Sequence, residues 1–347
     1  MKYNSNAILC LLSLLIIPIS PEPIILKLEE TEYRVYTTNV CIGGGDTLIC
    51  DDLHIVLTDN NITIYNNCNY NPTLSITSKF VVNLSSDDAL YKDTIILIDS
   101  TTNESVLFEG VIKDTDMRLG SKKGLFGLGR DNDKDVLSPL YQMYKIANDK
   151  KVFYINTQRK EIVIGTYPPE VEQRKVKFFN FSNEHNNNGN SFQLKMDSIY
   201  FKSNKYVYKQ YNIPYTFTFC LNVNGITVPQ DLAEFIFENY LGYLIENQIC
   251  KKVYTDHIYV KCKRDYDYIN DTSLNDITFI IESKVSMRLS REHLFVQYED
   301  DIYFLILYNP SVKGYTFGYP FFTKYVLIID EDNKRFGIYS HYNSNNK

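Results

Sequence analysis

Tryptophan is absent from this chain of 347 residues, and so is any excess of positive charge. The formal net charge is −6, which gives no electrostatic reason to bind DNA or RNA. Beyond residue 19 there is no apolar run long enough to cross a bilayer. The triplet Gly43-Gly44-Gly45 lacks the Lys-Ser/Thr of a phosphate loop, and no helix pattern follows it, so it reads as a turn. No cofactor or metal is expected. The absence that matters most lies in Tyr215–Pro229, YTFTFCLNVNGITVP. Its aromatic and threonine run reads as a buried strand, Leu221 to Gly225 as a tight polar loop, and Gln230 onward as a helix. Such a frame commonly carries active-site chemistry. Here it holds no acid, no base and only Cys220 as a nucleophile.

What is present points to strands. Tyr (29) and Phe (20) are abundant and β-branched runs recur throughout, which favours a mostly-β chain. The length allows two lobes, each with its own core. Ala7 to Ile19 after Lys2 reads as a signal-peptide core, so residues 1–20 are expected to be a signal, although Ser20-Pro21 makes a poor cleavage site. Secretion, or the lumen of the secretory pathway, follows. Six cysteines lie beyond Cys10 and allow about 15 pairings. The local pairs Cys41–Cys50 and Cys250–Cys262 are the simplest, which leaves Cys68 and Cys220. The Asn-x-Ser/Thr sites at Asn83, Asn103, Asn180 and Asn270 are glycosylation candidates in that compartment, with a fifth at Asn61.

The two halves repeat one order. Leu53–Tyr65 places two apolar strands around Asp59-Asn60-Asn61, and Phe217–Thr227 repeats that strand–loop–strand. Gly124 to Gly129 and Thr316-Phe317-Gly318 are apolar-Gly segments, each followed by a helix. An internal duplication is the economical reading. Thr166–Val176, with Pro168-Pro169, is the linker candidate. It divides the chain into an N-terminal lobe, 21–170, and a C-terminal lobe, 171–347.

A duplicated, mostly-β, secreted chain with these segments resembles the pepsin-like aspartic proteases. The most specific match is Thr316–Ile338, TFGYPFFTKYVLIIDEDNKRFGI, which looks like the family's closing segment. Gly124–Gly129 resembles its N-lobe apolar-Gly motif, with Lys123 where the family has Asp. Phe192–Phe201 resembles the strand pair before the second active-site loop, and Asp93-Thr94 the end of the flap hairpin. The resemblance runs from about Tyr33 to His341 and implies a bilobal β fold, two barrel-like lobes with short helices and a central cleft.

The resemblance also locates what is missing. The family hydrolyses peptides with two Asp, each heading an Asp-Thr/Ser-Gly loop, which share one proton and activate a water. The first loop matches Asp59, with Asn60 and Asn61 for Thr and Gly. In the second, Val228-Pro229 sets Cys220 at the Asp position, with Leu221 and Asn222 after it. A thiol of ordinary pKa, about 8.5, does not replace the charged member of that pair. The flap segment Phe80 to Leu84 lacks the family's Tyr. The expectation is a degenerate, inactive member that binds a protein or peptide partner. Two other readings stand beside it: a divergent active aspartic endopeptidase using Asp59 and a second acid such as Asp231 or Asp46, and a structural or surface protein. Cys220 as a cysteine-protease nucleophile has no His signature near it. Cys250, His257 and Cys262 offer only three zinc ligands, in a compartment that favours a disulfide. Lys251, Lys252, Lys261, Lys263 and Arg264 form a basic cluster, either a solvated face or a docking patch.

Overall fold

The structure is a computed structural model. It describes residues 23–32, 34–44, 48–57, 59, 61–65, 68, 70–84, 88–98, 105–115, 124–129, 138–147, 149–173, 175–181, 192–202, 208–212, 216–281, 285–310 and 315–341. In chain order the first half forms β1 (Ile24–Lys27), β2 (Glu29–Glu30), β3 (Tyr36–Ile42), β4 (Ile49–Val56), β5 (Ile62–Tyr65), β6 (Lys79–Asn83), β7 (Asp88–Ile98), β8 (Ser105–Thr115), β9 (Gly124–Gly127), α1 (Pro139–Ile146), β10 (Val152–Asn156) and β11 (Glu161–Ile164). The second half forms β12 (Lys177–Asn180), β13 (Gln193–Lys202), β14 (Tyr208–Asn212), β15 (Thr216–Phe219), β16 (Ile226–Thr227), α2 (Gln230–Asn239), α3 (Gly242–Glu246), β17 (Cys250–Tyr254), β18 (Ile258–Lys263), β19 (Ile277–Ile281) and β20 (Val285–Leu289). It ends with α4 (Arg291–Leu294), β21 (Phe295–Tyr298), β22 (Asp301–Tyr308), β23 (Tyr315–Phe317), α5 (Tyr319–Phe322), β24 (Tyr325–Asp330) and β25 (Arg335–Ser340).

These strands make three sheets. The first-half strands β2 to β9 form an eight-stranded sheet, which the β3–β7 pairing closes into a barrel. An eleven-stranded sheet draws only on strands from β13 to β23. The third sheet runs β1-β11-β10-β24-β25-β12, so it takes strands from both sides of the 170/171 boundary. The β10–β24 ladder joins them, Val152 opposite Asp330 and Ile155 opposite Leu327. One face of this sheet carries a small apolar cluster of Val152, Tyr154, Val163, Val326, Ile328 and Tyr339; most other buried apolar residues join one continuous core.

Several elements differ from the sequence expectation. Gln193–Phe201 lies within one strand, because β13 pairs with β15 at its start and with β19 and β14 further on. The helix expected over 231–245 is broken at Tyr240-Leu241 into α2 and α3. His293 lies in α4. The linker candidate holds a short helical turn, Pro169–Val171, and Tyr167 hydrogen-bonds Asp330 at 2.6 Å. Helix α1 is capped by Ser138, whose Oγ accepts the Tyr141 N–H.

Both expected disulfides form. Cys41 faces Cys50 across β3–β4, and Cys250 faces Cys262 across β17–β18. Each closes a short loop, which constrains the unfolded chain by about 2–3 kcal/mol. C250S/C262S is expected to lower the unfolding free energy by about that amount in urea titrations; no change would contradict it. Since these two sulfurs are bonded to each other, the zinc reading of Cys250, His257 and Cys262 is withdrawn. Cys68 and Cys220 are buried outside the disulfides.

Two groups at the ends of β24 and β25 make stability pH-dependent. Burial pulls the His341 imidazole down to about 4 from 6.5. Burial alone would raise the Asp330 carboxyl, but donors on Tyr167, Arg335 and Asn333 outweigh it and hold the carboxyl below 3.8. Both folded values lie below the unfolded ones, so the unfolded chain binds more protons and acidification destabilises the fold. The urea midpoint is expected to fall between pH 6.5 and 4 through His341, then further below 3.8 through Asp330. H341Q should flatten the first decline; an unchanged decline would assign it elsewhere.

Candidate functional site

The two expected loops are built alike. In the first, β4 runs parallel to β9, with Ile55 opposite Phe126 and Val56 opposite Gly127. The chain then turns back, and β5 runs antiparallel to the same β9, with Ile62 opposite Phe126. In the second, β15 runs parallel to β23, with Phe219 opposite Phe317, and β16 returns antiparallel, with Ile226 opposite Phe317. Each loop is thus a pair of arms around a central strand ending in glycine. The outer neighbours also correspond, since β5 is parallel to β8 and β16 is parallel to β22.

This register fixes which residues correspond. Phe126 matches Phe317, so Ile55 matches Phe219 and Ile62 matches Ile226, with seven residues from arm to arm in both loops. The counterpart of Cys220 is therefore Val56, and the counterpart of Asp59 is Val223. The glycines agree independently. A Cβ on Gly127 would meet the carbonyl oxygens of Asn61 and Asp59, and one on Gly318 would meet those of Gly225 and Val223. Matching by residue type had set Asp59 against Cys220; strand pairing sets it three positions further on.

The Asp59 carboxylate is turned into its own loop. Its Oδ1 accepts the Asn61 N–H at 3.1 Å, and its backbone carbonyl accepts the Gly129 N–H at 2.6 Å. This is an Asx-type turn, a structural use of Asp. Asn61 precedes the buried Ile62 and Thr63, so the fifth glycosylation motif lies inside a packed loop. In the second loop the Cys220 N–H donates to the Phe317 carbonyl at 2.9 Å, and its thiol donates to Asn222 Oδ1. Cys220 is 8% exposed and Leu221 1%. The Leu221 carbonyl accepts the Tyr36 N–H at 3.2 Å, which ties β3 to this loop. Asp231, the alternative acid, lies in the first turn of α2 and accepts the Tyr211 hydroxyl. Asn60, Asn103, Lys123, Asp46, residues 1–20 and the Asn-rich stretch 183–190 lie outside the described residues.

Beside the second loop opens a cavity of about 420 Å³. Asn224 borders it, with Arg34, His257, Tyr259, Tyr298 and Tyr303 around it. Arg34 occupies the turn from Thr31 to Val35 at φ 58°, a left-handed conformation that costs a non-glycine residue about 1 kcal/mol or more. Glu30 holds its guanidinium at 2.8 Å. No sequence pattern announced this cavity, because its walls come from segments far apart in the chain. The hairpin β6–β7 is exposed along β6, with Phe80 58%, Val82 44% and Leu84 just beyond the strand at 53%. Its tyrosine, Tyr91, stands on β7 opposite Phe80.

The basic cluster is largely neutralised. Lys252 pairs with Glu234, Lys261 with Asp301 at 2.5 Å and Arg264 with Asp300 at 2.5 Å. That pattern favours the solvated-face reading over a docking patch. Asn83, Asn180 and Asn270 are exposed. Among the described residues no helix is long and apolar enough to cross a membrane.

No family model and no curated protein matches the chain in sequence. Solved structures do match in shape. Conglutin gamma, a basic 7S globulin from lupine seeds, superposes with a TM-score of 0.68 at 12% identity, over 92% of this chain and 95% of that one. Basic 7S globulin from soybean gives 0.69 at 12% identity, over 94% and 97%. The structure of edgp gives 0.68 at 11% identity, over 92% and 95%. The chain therefore shares the fold of the basic 7S globulins, in agreement with a degenerate pepsin-like chain.

Proposed function

We propose that this is a secretory-pathway protein of bilobal pepsin-like fold that has lost peptidase chemistry and holds a protein or peptide segment beside its second loop. The supporting observation is the pair Val56 and Cys220, the residues that strand register makes equivalent in the two loops. An acid dyad needs two carboxylates close enough to share a proton. Valine carries no titratable group, and a buried thiol is neutral at the acid pH where such a dyad works. In this reading the lobes are residues 21–170 and 171–347 after a signal over 1–20, with the closed barrel in one lobe and the eleven-stranded sheet in the other. Glycans would sit on Asn83, Asn180 and Asn270. The tyrosine-lined cavity, with Arg34 and His257 at its edge, suits an extended segment bearing aromatic or acidic side chains.

The divergent-enzyme reading has less support, because Asp59 is engaged by its own loop and Asp231 by Tyr211. The structural reading draws on the likeness to seed globulins. Incubation with denatured protein substrates from pH 3 to 6 is expected to give no cleavage, and a pepstatin-type inhibitor no saturable binding. Cleavage that D59A abolishes would overturn the proposal. Pull-down from the secreted fraction with wild type and with Y259A/Y303A separates binding from structure. A partner lost with the variant supports the cavity; no specific partner supports the structural reading.

A further inference from the structure

A second cavity, of about 600 Å³, lies on the opposite part of the eleven-stranded sheet and shares no lining residue with the first. Strand register builds its floor. Tyr200 on β13 stands opposite Thr278 on β19, and Thr278 stands opposite Arg288 on β20, so the three form one row across the sheet. Arg291 and Glu292 of α4 also line it, as does Asp276, the residue before β19.

Neither arginine is matched by a carboxylate in an ion pair among the described residues. Arg291 donates through Nη1 to the backbone carbonyl of Asp271, a neutral acceptor. Arg288 has its main chain held at both ends by Tyr325: the hydroxyl accepts the Arg288 N–H at 2.8 Å and donates to its carbonyl at 2.9 Å. Arg288 itself lines the cavity. Glu292 takes the Ser290 hydroxyl at 2.9 Å and lies 3.7 Å from His293. Lys324 stands nearby. Burial lowers its pKa, while Asp276 and Glu292 support its charge and Arg288 opposes it. Asp271 and Asp267 also lie within electrostatic reach of Arg291, so the neighbourhood is not net positive, and what it offers an anion is the two guanidinium groups on its lining.

We propose that this cavity is a binding site for an oxyanion of the phosphate or sulfate class, clasped between Arg288 and Arg291. Guanidinium groups offer paired N–H donors that match the oxygen spacing of such anions, which a single ammonium does not. The cavity exceeds the size of a bare anion. Tyr200 and Leu274 can face an organic body, and Asp276 and Glu292 can accept hydrogen bonds from its hydroxyl or ammonium groups. The natural ligand is therefore a small polar molecule bearing the oxyanion. The site is independent of the peptidase loops and stands whether or not the proposed function does.

Calorimetric titration of the full chain with inorganic phosphate at pH 7 is expected to saturate one site, with a Kd of about 1 mM or tighter. Sulfate should compete for it. R288Q and R291Q should each weaken phosphate binding about tenfold, and the double variant should abolish it. R288K/R291K keeps both charges and loses the paired donors, so it should bind at least about threefold more weakly than wild type. K252Q, on the distant hairpin, should bind as wild type does. Absence of saturable heat up to about 50 mM phosphate would overturn the site. So would wild-type affinity in the double glutamine variant, or, should that variant fail to fold, in the double lysine variant.

Discussion

Replacing Gly318 with alanine is expected to cost about 3 kcal/mol or more of unfolding free energy, or to prevent accumulation of folded protein. The added Cβ would lie 2.2 Å from the Val223 carbonyl oxygen and 2.3 Å from that of Gly225. Both obstacles are backbone, so no side-chain rotation relieves them. Gly318 directly follows the central strand of the second loop, and its φ of −108° is open to any residue, so the constraint is space and not conformation. Gly127 plays the same part in the first loop, at 2.4 Å from the Asn61 carbonyl and 2.7 Å from that of Asp59. G127A should therefore also destabilise severely, though less than G318A. Gly242 has nothing within 4 Å and starts α3, so G242A should be neutral or stabilise by up to about 1 kcal/mol. Urea midpoints compare the three. A G318A loss below about 1 kcal/mol would mean that the two arms can separate without cost.

The second large effect is expected at Asp330. Its side chain is 0% exposed, yet it receives the Tyr167 hydroxyl at 2.6 Å, the Arg335 Nε at 2.6 Å and the Asn333 amide at 2.9 Å. Removing Arg335 leaves a buried carboxylate without the guanidinium that pairs with it. R335A is expected to cost about 3–5 kcal/mol near pH 7, because an uncompensated buried charge is more costly than a missing pair. The Asp330 carboxyl would then rise from its lowered value, so the variant should remain closer to its pH 7 stability on acidification than wild type does below pH 3.8. D330N keeps the shape and loses the charge, and it should cost less than R335A. Equal losses would show that shape alone holds the β24–β25 turn. The location makes the effect global, since β24 is the strand that pairs with β10 of the first half.

Much of the fold was legible in the sequence because local chemistry decides it. Apolar strands around polar loops marked β4, β5, β15 and β16. Cysteines 9 and 12 residues apart marked two hairpins, since only a tight return brings such close cysteines together. Other elements were not legible. β13 read as a pair of strands, because nothing local tells a long strand from a hairpin when its partners lie elsewhere. The break between α2 and α3 comes at Tyr240-Leu241, both buried, where packing overrides the helical period. Both cavities were invisible, being assembled from distant strands.

The two strand–loop–strand units divide the two kinds of knowledge most sharply. Sequence alone determined that the stretch from Tyr215 to Pro229 carries no acid and a single cysteine, Cys220. It also determined the duplicated order of strand, loop and strand. It could not determine the partner of Cys220 in the first loop. Asp59 attracted the match by its residue type, and only the pairing of β4 and β5 with the shared strand β9 makes Val56 the equivalent position. The physical reason is that strand register is a property of two chain segments held by hydrogen bonds. It does not exist until distant residues meet, and a shift of even one residue exchanges the face on which a side chain stands.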